Sequence, residues 1–281
     1  MKMNERLIVA LDYPVWSEAS KLVSSLPEAE HFKVGLELYL ASRGEAVREL
    51  KSMGKRVFLD LKFHDIPQTV AGAVSQALIS GADMINVHAS GGPAMMKAAL
   101  AARDQASAGR IKPLIIAVTV LTSLDDADIR LVGFADATAS DVAVRLAELA
   151  KGCGMDGVVC SPHEIRPMRQ RFGEAFKLVC PGVRPSWSEK GDQKRVFTPY
   201  EAMKEGADYI VVGDHQGTID RFGPDGASAA VAGSSRVAAG RPSTSSTSAI
   251  PGRSAGSRAV IRRSTWPSSA RASSSRAGCR R

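Results

Sequence analysis

The stretch "VFLDLKFHDIPQT", Val57 to Thr69, decides the fold. Val57, Phe58, Leu59, Leu61 and Phe63 mark a core strand, yet Asp60, Lys62 and Asp65 stand among and just after them. Residues two apart on a strand share a face, so Asp60 and Lys62 are expected to point one way and Leu59, Leu61 and Phe63 the other. Such a two-faced strand suits a barrel, where one face meets helices and the other the interior. Asp65 falls where strand gives way to loop, the carboxyl-end rim on which barrel active sites are built. A buried ion pair costs several kcal/mol of desolvation per ion before mutual attraction offsets it. Closely spaced charges in a core strand therefore point to acid–base chemistry more than to stability.

Working outward, this run is the third of eight. The others are "RLIVALD", "HFKVGLELYL", "MINVHAS", "LIIAVTVLTS", "GVVCSP", "KLVCPGVRP" and "YIVVG". Spacings of roughly 20 to 40 residues suit a strand plus its crossover helix, and eight such units are the count of a closed barrel. "PAMMKAALAARDQ", "TASDVAVRLAELAKGCG" and "TPYEAMKEGA" place apolar residues at helical spacing, with Ser, Thr or Pro near their starts and Gly near their ends. The expected class is α/β, a (βα)8 TIM barrel over residues 1–213. An open doubly wound sheet is the alternative, although no Gly-rich dinucleotide loop follows the first strand.

After Gly213 the composition changes. Residues 214–281 contain no Leu, Met, Lys, Glu, Tyr or Asn and are dominated by Ser, Ala, Arg and Gly. Such a tail buries too little apolar surface to offset its ordering entropy, so it is expected to be disordered and to replace the eighth helix. The formal charge of +8 belongs to it: the tail has 11 Arg against 3 Asp, while the first 213 residues hold 26 basic and 26 acidic side chains. Cys153, Cys160, Cys180 and Cys279 have neither metal-ligand spacing nor a dense disulfide pattern, and are read as reduced structural thiols. No run is apolar for long enough to span a bilayer and no signal-peptide pattern opens the chain, so a cytoplasmic protein is expected.

Other polar residues fall at the same predicted rim. Asp12 ends the first strand, Lys33 interrupts the second, His88 ends the fourth, Thr122 ends the fifth, and Arg184 follows the seventh. Taken singly, Asp12 reads equally well as a cap, His88 as a satisfied core histidine and Thr122 as a strand-end hydroxyl.

Through "VALD", "KVGLEL", "DLKFHDIPQT", "VTVLTS", "PGVRP", "GDQKR" and "YIVVG", residues 1–213 resemble orotidine 5′-phosphate decarboxylase. The D-x-K-x-x-D element is shared with sugar-phosphate relatives on the same barrel, whereas "DIPQT" with "VTVLTS" and "PGVRP" narrows the resemblance to the decarboxylase. It implies conversion of orotidine monophosphate to uridine monophosphate by an array of Lys33, Asp60, Lys62 and Asp65, without metal or cofactor. Lys62 would protonate C6, Asp60 would lie near the substrate carboxylate, and Asp65 would be lent by the second subunit of a homodimer. Asp12, Lys33 and Thr69 would hold the ribose, Thr69 across the interface. Thr122 would read the pyrimidine. Arg184 and Gln193, bracketing "PSWSEKGD", would contact the 5′-phosphate together with Gly213.

The chain departs from the family pattern after Gly213, where Gly-Arg-Pro-Ile-Thr is expected and Asp214, His215 and Gln216 follow. A carboxylate in place of a guanidinium weakens a phosphate grip. A frameshift at Gly213 accounts for both the lost Arg-Pro and the lopsided tail; an insertion displacing the motif to Gly240–Pro242 is the other reading. Two further functions remain open: a metal-dependent sugar-phosphate lyase or decarboxylase of the same suprafamily, and RNA binding through the basic tail. The tail lacks the aromatic interleaving of a base-stacking platform, so no nucleic-acid partner is expected.

Overall fold

A computed structural model describes residues 3–109, 111–134, 137–183 and 197–213. Eight parallel strands follow one another around a closed barrel: β1 (Leu7–Leu11), β2 (His31–Gly35), β3 (Arg56–Phe63), β4 (Met84–His88), β5 (Leu114–Val118), β6 (Gly157–Val159), β7 (Lys177–Cys180) and β8 (Tyr209–Gly213). β8 returns to β1 with Leu7 opposite Ile210 and Ala10 opposite Gly213. The barrel is thus an eight-stranded TIM barrel and not an open sheet, and closure leaves no exposed strand edge.

Alternation along the strands creates two cores. Ile8, Ala10, Phe58, Met84, Ile116, Val179, Tyr209 and Val211 pack together inside the barrel. Their sequence neighbours, such as Val9, Leu59, Ile85, Ile115, Leu178 and Ile210, pack outward against the helices. The helix starts are encoded locally. Thr138 with Asp141 and Thr198 with Glu201 form capping boxes, satisfying N–H groups that the first turn leaves without partners. Gly157 on the short β6 is fixed by packing: a Cβ there would lie 2.1 Å from the Lys177 carbonyl oxygen.

Two of the expected strands end early. "HFKVGLELYL" stays extended only through Gly35, and Leu36–Ala41 is helical. As a strand, Leu36, Leu38 and Leu40 would share one face; as a helix only Leu38 is buried, while Leu36 and Leu40 are 56% and 65% exposed. Leu, Glu and Ala are also strong helix formers. β5 stops at Val118, so Thr122 does not end that strand. Thr119 donates its hydroxyl to the Val159 carbonyl at 2.9 Å, and the chain then leaves the sheet.

A repeated clamp closes the amino-terminal face. Before β4, β6 and β8 stands a left-handed Gly (Gly81, Gly154, Gly206), an apolar residue and an Asp (Asp83, Asp156, Asp208). Each Asp gives its backbone N–H to a carbonyl on the preceding odd-numbered strand, that of Val57, Ile115 or Leu178. Its carboxylate takes the N–H of that same residue, at 2.7, 2.7 and 3.0 Å. A cation completes each clamp: Lys51 on Asp83, Arg103 on Asp156, and Arg169 with Lys177 on Asp208. The residue in the corresponding place before β2 is Glu30, whose carbonyl accepts from the Arg56 N–H.

Candidate active site

At the carboxyl end of the strands the barrel opens into a cavity of about 250 Å³. Its lower wall is apolar, with Phe58, Val118, Val159, Val179 and Val211. Asp12, Lys33, Asp60, Lys62, Thr122 and Gly213 also line it. A second hollow of about 240 Å³ shares Asp12, Lys33, Asp60 and Lys62. The four charged groups therefore stand between two spaces large enough for parts of one ligand.

Asp60 is the centre of this array. Its side chain is only 11% exposed, and Lys62 Nζ donates to Oδ1 at 2.7 Å while Lys33 Nζ lies 3.5 Å from Oδ2. Lys33 in turn donates to Asp12 Oδ1 at 2.9 Å. Burial pushes the Asp60 carboxyl up, but the combined pull of Lys33, Lys62 and a hydrogen bond from Asn86 holds it below the usual carboxylate range. The chain Asp12–Lys33–Asp60–Lys62 alternates in sign, so each carboxylate has a cation beside it, while the Lys62 side chain, 39% exposed, lines the cavity.

Lys62 reaches this position by a distortion of β3. The ladder with β4 pairs Leu59 with Ile85 and then Phe63 with Val87, so Asp60, Leu61 and Lys62 together face Asn86 alone. Lys62 has φ of 51°, a left-handed conformation uncommon outside Gly, Asn and Asp. The simple alternation expected of this strand is therefore broken, and a bulge re-aims the lysine. Asn86 compensates: its Oδ1 accepts the Lys62 N–H at 2.8 Å and its Nδ2 donates to Asp60 Oδ1 at 2.6 Å. Asn86 was not among the residues expected at the site. Its signal was present in "MINVH", an amide in the middle of an otherwise apolar buried strand, two residues before His88.

Asp65 and Thr69 are exposed and do not line the cavity. Asp65 Oδ1 accepts the N–H of Ile66 at 2.6 Å, and Thr69 lies in the first turn of the helix Pro67–Ile79. His88 ends β4 as expected and stacks on His64, with ring centroids 5.2 Å apart. Burial, followed by the nearby His64 and Lys62, lowers its pKa. Arg184 and Gln193 lie outside the described residues, as does Asp214. Cys160 and Cys180 are buried free thiols with Sγ atoms 3.5 Å apart, facing the helical layer rather than the cavity. Among the described residues no three His, Cys, Asp or Glu side chains converge as metal ligands do, and no helix is long and apolar enough to cross a membrane.

Comparison with known proteins gives a consistent picture. A family model described as "Orotidine 5'-phosphate decarboxylase / HUMPS family" matches residues 5–214. The orotidine 5'-phosphate decarboxylase of Moorella thermoacetica is 52% identical over 216 residues, covering 76% of this chain and 86% of that protein. The enzyme of the same name from Alkalilimnicola ehrlichii is 52% identical over 212 residues, covering 75% and 88%. Among solved structures, orotidine 5'-phosphate decarboxylase from Lactobacillus acidophilus superposes with a TM-score of 0.67 at 34% identity, over 81% of this chain and 96% of that one.

Proposed function

The chain belongs to the orotidine 5′-phosphate decarboxylase / HUMPS family, and from that premise we propose that it decarboxylates orotidine 5′-monophosphate to uridine 5′-monophosphate, a step of pyrimidine synthesis. The observation that carries the reading is Asp60, nearly buried in the cavity and flanked by the ammonium groups of Lys33 and Lys62. The substrate's C6–carboxylate bond breaks, carbon dioxide leaves, and the electron pair remains on C6. A preorganised ammonium beside that carbon stabilises the developing charge without reorganisation. Lys62 then gives a proton from Nζ to C6, and solvent reprotonates the amine. Asp60 stands near the departing carboxylate and holds Lys62 in place. Lys33 and Asp12 are suited to the ribose hydroxyls, and Thr122 to the pyrimidine edge. No step in this scheme calls on a metal or an organic cofactor.

Asp65 and Thr69 take part as contributions to a second copy's site. Both are exposed at the carboxyl-end rim beside Ile66, a large apolar residue left 66% exposed. The reading therefore includes a homodimer and, with it, a cytoplasmic pathway enzyme. The sugar-phosphate lyase and RNA-binding alternatives gain no support from the relatives, which carry the decarboxylase name.

The test is an absorbance assay of orotidine monophosphate decarboxylation, run on the chain as it stands and with Arg-Pro-Ile-Thr restored after Gly213. Turnover by either, abolished by Lys62→Ala, is expected. Failure of both chains to consume the substrate would refute the assignment.

A further inference from the structure

We propose that Asn86 is a positioning residue that sets the geometry of the Asp60–Lys62 pair, through one amide bonded at once to the backbone of the lysine and the carboxylate of the aspartate. The proposal rests on the decarboxylase reading for its kinetic consequences but not for its structural ones. Asn86 is 1% exposed and does not line the cavity, so it does not touch a ligand there. It occupies the one β4 position opposite three residues of β3, where the register slips between Leu59 and Phe63.

At that slip the Lys62 N–H leaves the strand ladder, and a buried N–H without a partner is costly. The Asn86 carbonyl oxygen takes it at 2.8 Å. The same side chain's Nδ2 donates to Asp60 Oδ1 at 2.6 Å, the oxygen that also accepts from Lys62 Nζ at 2.7 Å. The three contacts form a closed circuit: Lys62 backbone to Asn86, Asn86 to Asp60, and Asp60 back to the Lys62 ammonium. A left-handed lysine is held in this uncommon backbone state when its surroundings over-determine it, and the circuit does so. The circuit also fixes which oxygen of Asp60 faces Lys62, leaving Oδ2 for Lys33. Neither leucine nor alanine in this place could make both bonds. Aspartate could accept from Lys62 but would turn a repelling carboxylate toward Asp60.

The variants Asn86→Ala and Asn86→Asp in the full chain test this, with three readouts. In steady-state kinetics, Asn86→Ala is expected to lower kcat about 100-fold with KM changed less than about 3-fold, the scale of a misplacement by roughly an ångström. A variant that loses stability while keeping parental kcat well below its melting temperature would overturn the proposal. For Asn86→Asp, kcat is expected to recover as pH falls through the pKa of the introduced carboxyl, because the protonated acid can again donate to Asp60. A pH–rate profile parallel to the parent's would count against it. Third, carboxyl-carbon NMR of Asp60, assigned with Asp60→Asn, should show its titration moved to higher pH in Asn86→Ala, since a hydrogen bond to the charged form is gone. An unmoved titration would refute the coupling. This last measurement needs no turnover, so failure of both the parent and the Arg-Pro-Ile-Thr-restored chain on orotidine monophosphate would sink the proposed function while leaving the role of Asn86 decided separately.

Discussion

Replacing His31 with leucine is predicted to remove a large acid-sensitive contribution to stability. His31 begins β2 on the same face as Lys33 but at the opposite end of the barrel, 3% exposed, its ring edge-on to Tyr209 at 6.0 Å. Neither ring nitrogen has a hydrogen-bond partner among the described residues. Burial, opposed by Asp83 and aided by Arg56 and Lys51, lowers its pKa from 6.5 to about 4. A histidine whose folded pKa is depressed takes up protons more readily unfolded. Its unfavourable contribution is absent above pH 6.5, grows as pH falls, and is complete below about 4. The shift corresponds to roughly 3 kcal/mol in full, of which roughly 2 kcal/mol develops between pH 7 and pH 5.

Glu164 acts with the opposite sign. It is 7% exposed and raised by burial from 4.5 to about 7, so it costs stability as pH rises through that interval. The two groups therefore offset each other between pH 5 and pH 7, and the informative quantity is the difference between variant and parent. Urea unfolding at equal protein concentration, at pH 7 and pH 5, should show His31→Leu gaining roughly 2 kcal/mol relative to the parent over that interval. A constant difference between the two proteins at both pH values would refute the reasoning, whatever its size.

Four other outcomes are expected. Lys62→Ala should lower kcat at least about 10⁴-fold, since it removes both the proton donor and the charge beside C6, as an absorbance assay will read. Mixing inactive Lys62→Ala and Asp65→Asn proteins under subunit exchange should restore up to roughly a quarter of parental activity, because each mixed dimer holds one intact site; no recovery would rule out the shared site. Asp208→Asn strips the carboxylate from Arg169 and should cost about 3–5 kcal/mol in denaturation while kcat is unchanged. Restoring Arg-Pro-Ile-Thr after Gly213 should lower KM about 10- to 100-fold, the value of a charge-assisted hydrogen bond to phosphate.

The barrel was legible because its strands are short apolar runs at regular spacing and its helices begin at Thr138 and Thr198 with local caps. The charged face was legible because Asp60 and Lys62 interrupt a strand whose other residues belong in a core. What escaped depended on contacts between distant segments. The slip of β3 against β4, and the left-handed Lys62 it demands, follow from how Asn86 fills a gap 24 residues away in sequence. No period within "VFLDLKFHDIPQT" encodes that. The early end of β5 likewise depends on Thr119 bonding to Val159, a partner on another strand. Leu36 to Leu40 misled because three leucines at alternate positions fit strand and helix alike until burial chooses between them.

The Gly–apolar–Asp clamps bear on how the barrel assembles. Each one staples an odd strand to the even strand that follows it, β3 to β4, β5 to β6 and β7 to β8, so three neighbouring βαβ modules carry their own fastening before the ring closes. Among the described residues β1 and β2 are joined by no carboxylate of this kind, and at Glu30 it is the backbone carbonyl that accepts, from the Arg56 N–H. The seam at which the ring is joined is therefore flanked by the pair that does without this carboxylate clamp. In amide exchange the N–H groups of Val57, Ile115 and Leu178 should be among the slowest, and opening under native conditions should begin at β1 and β2. Such a molecule is expected to come apart as modules and not strand by strand.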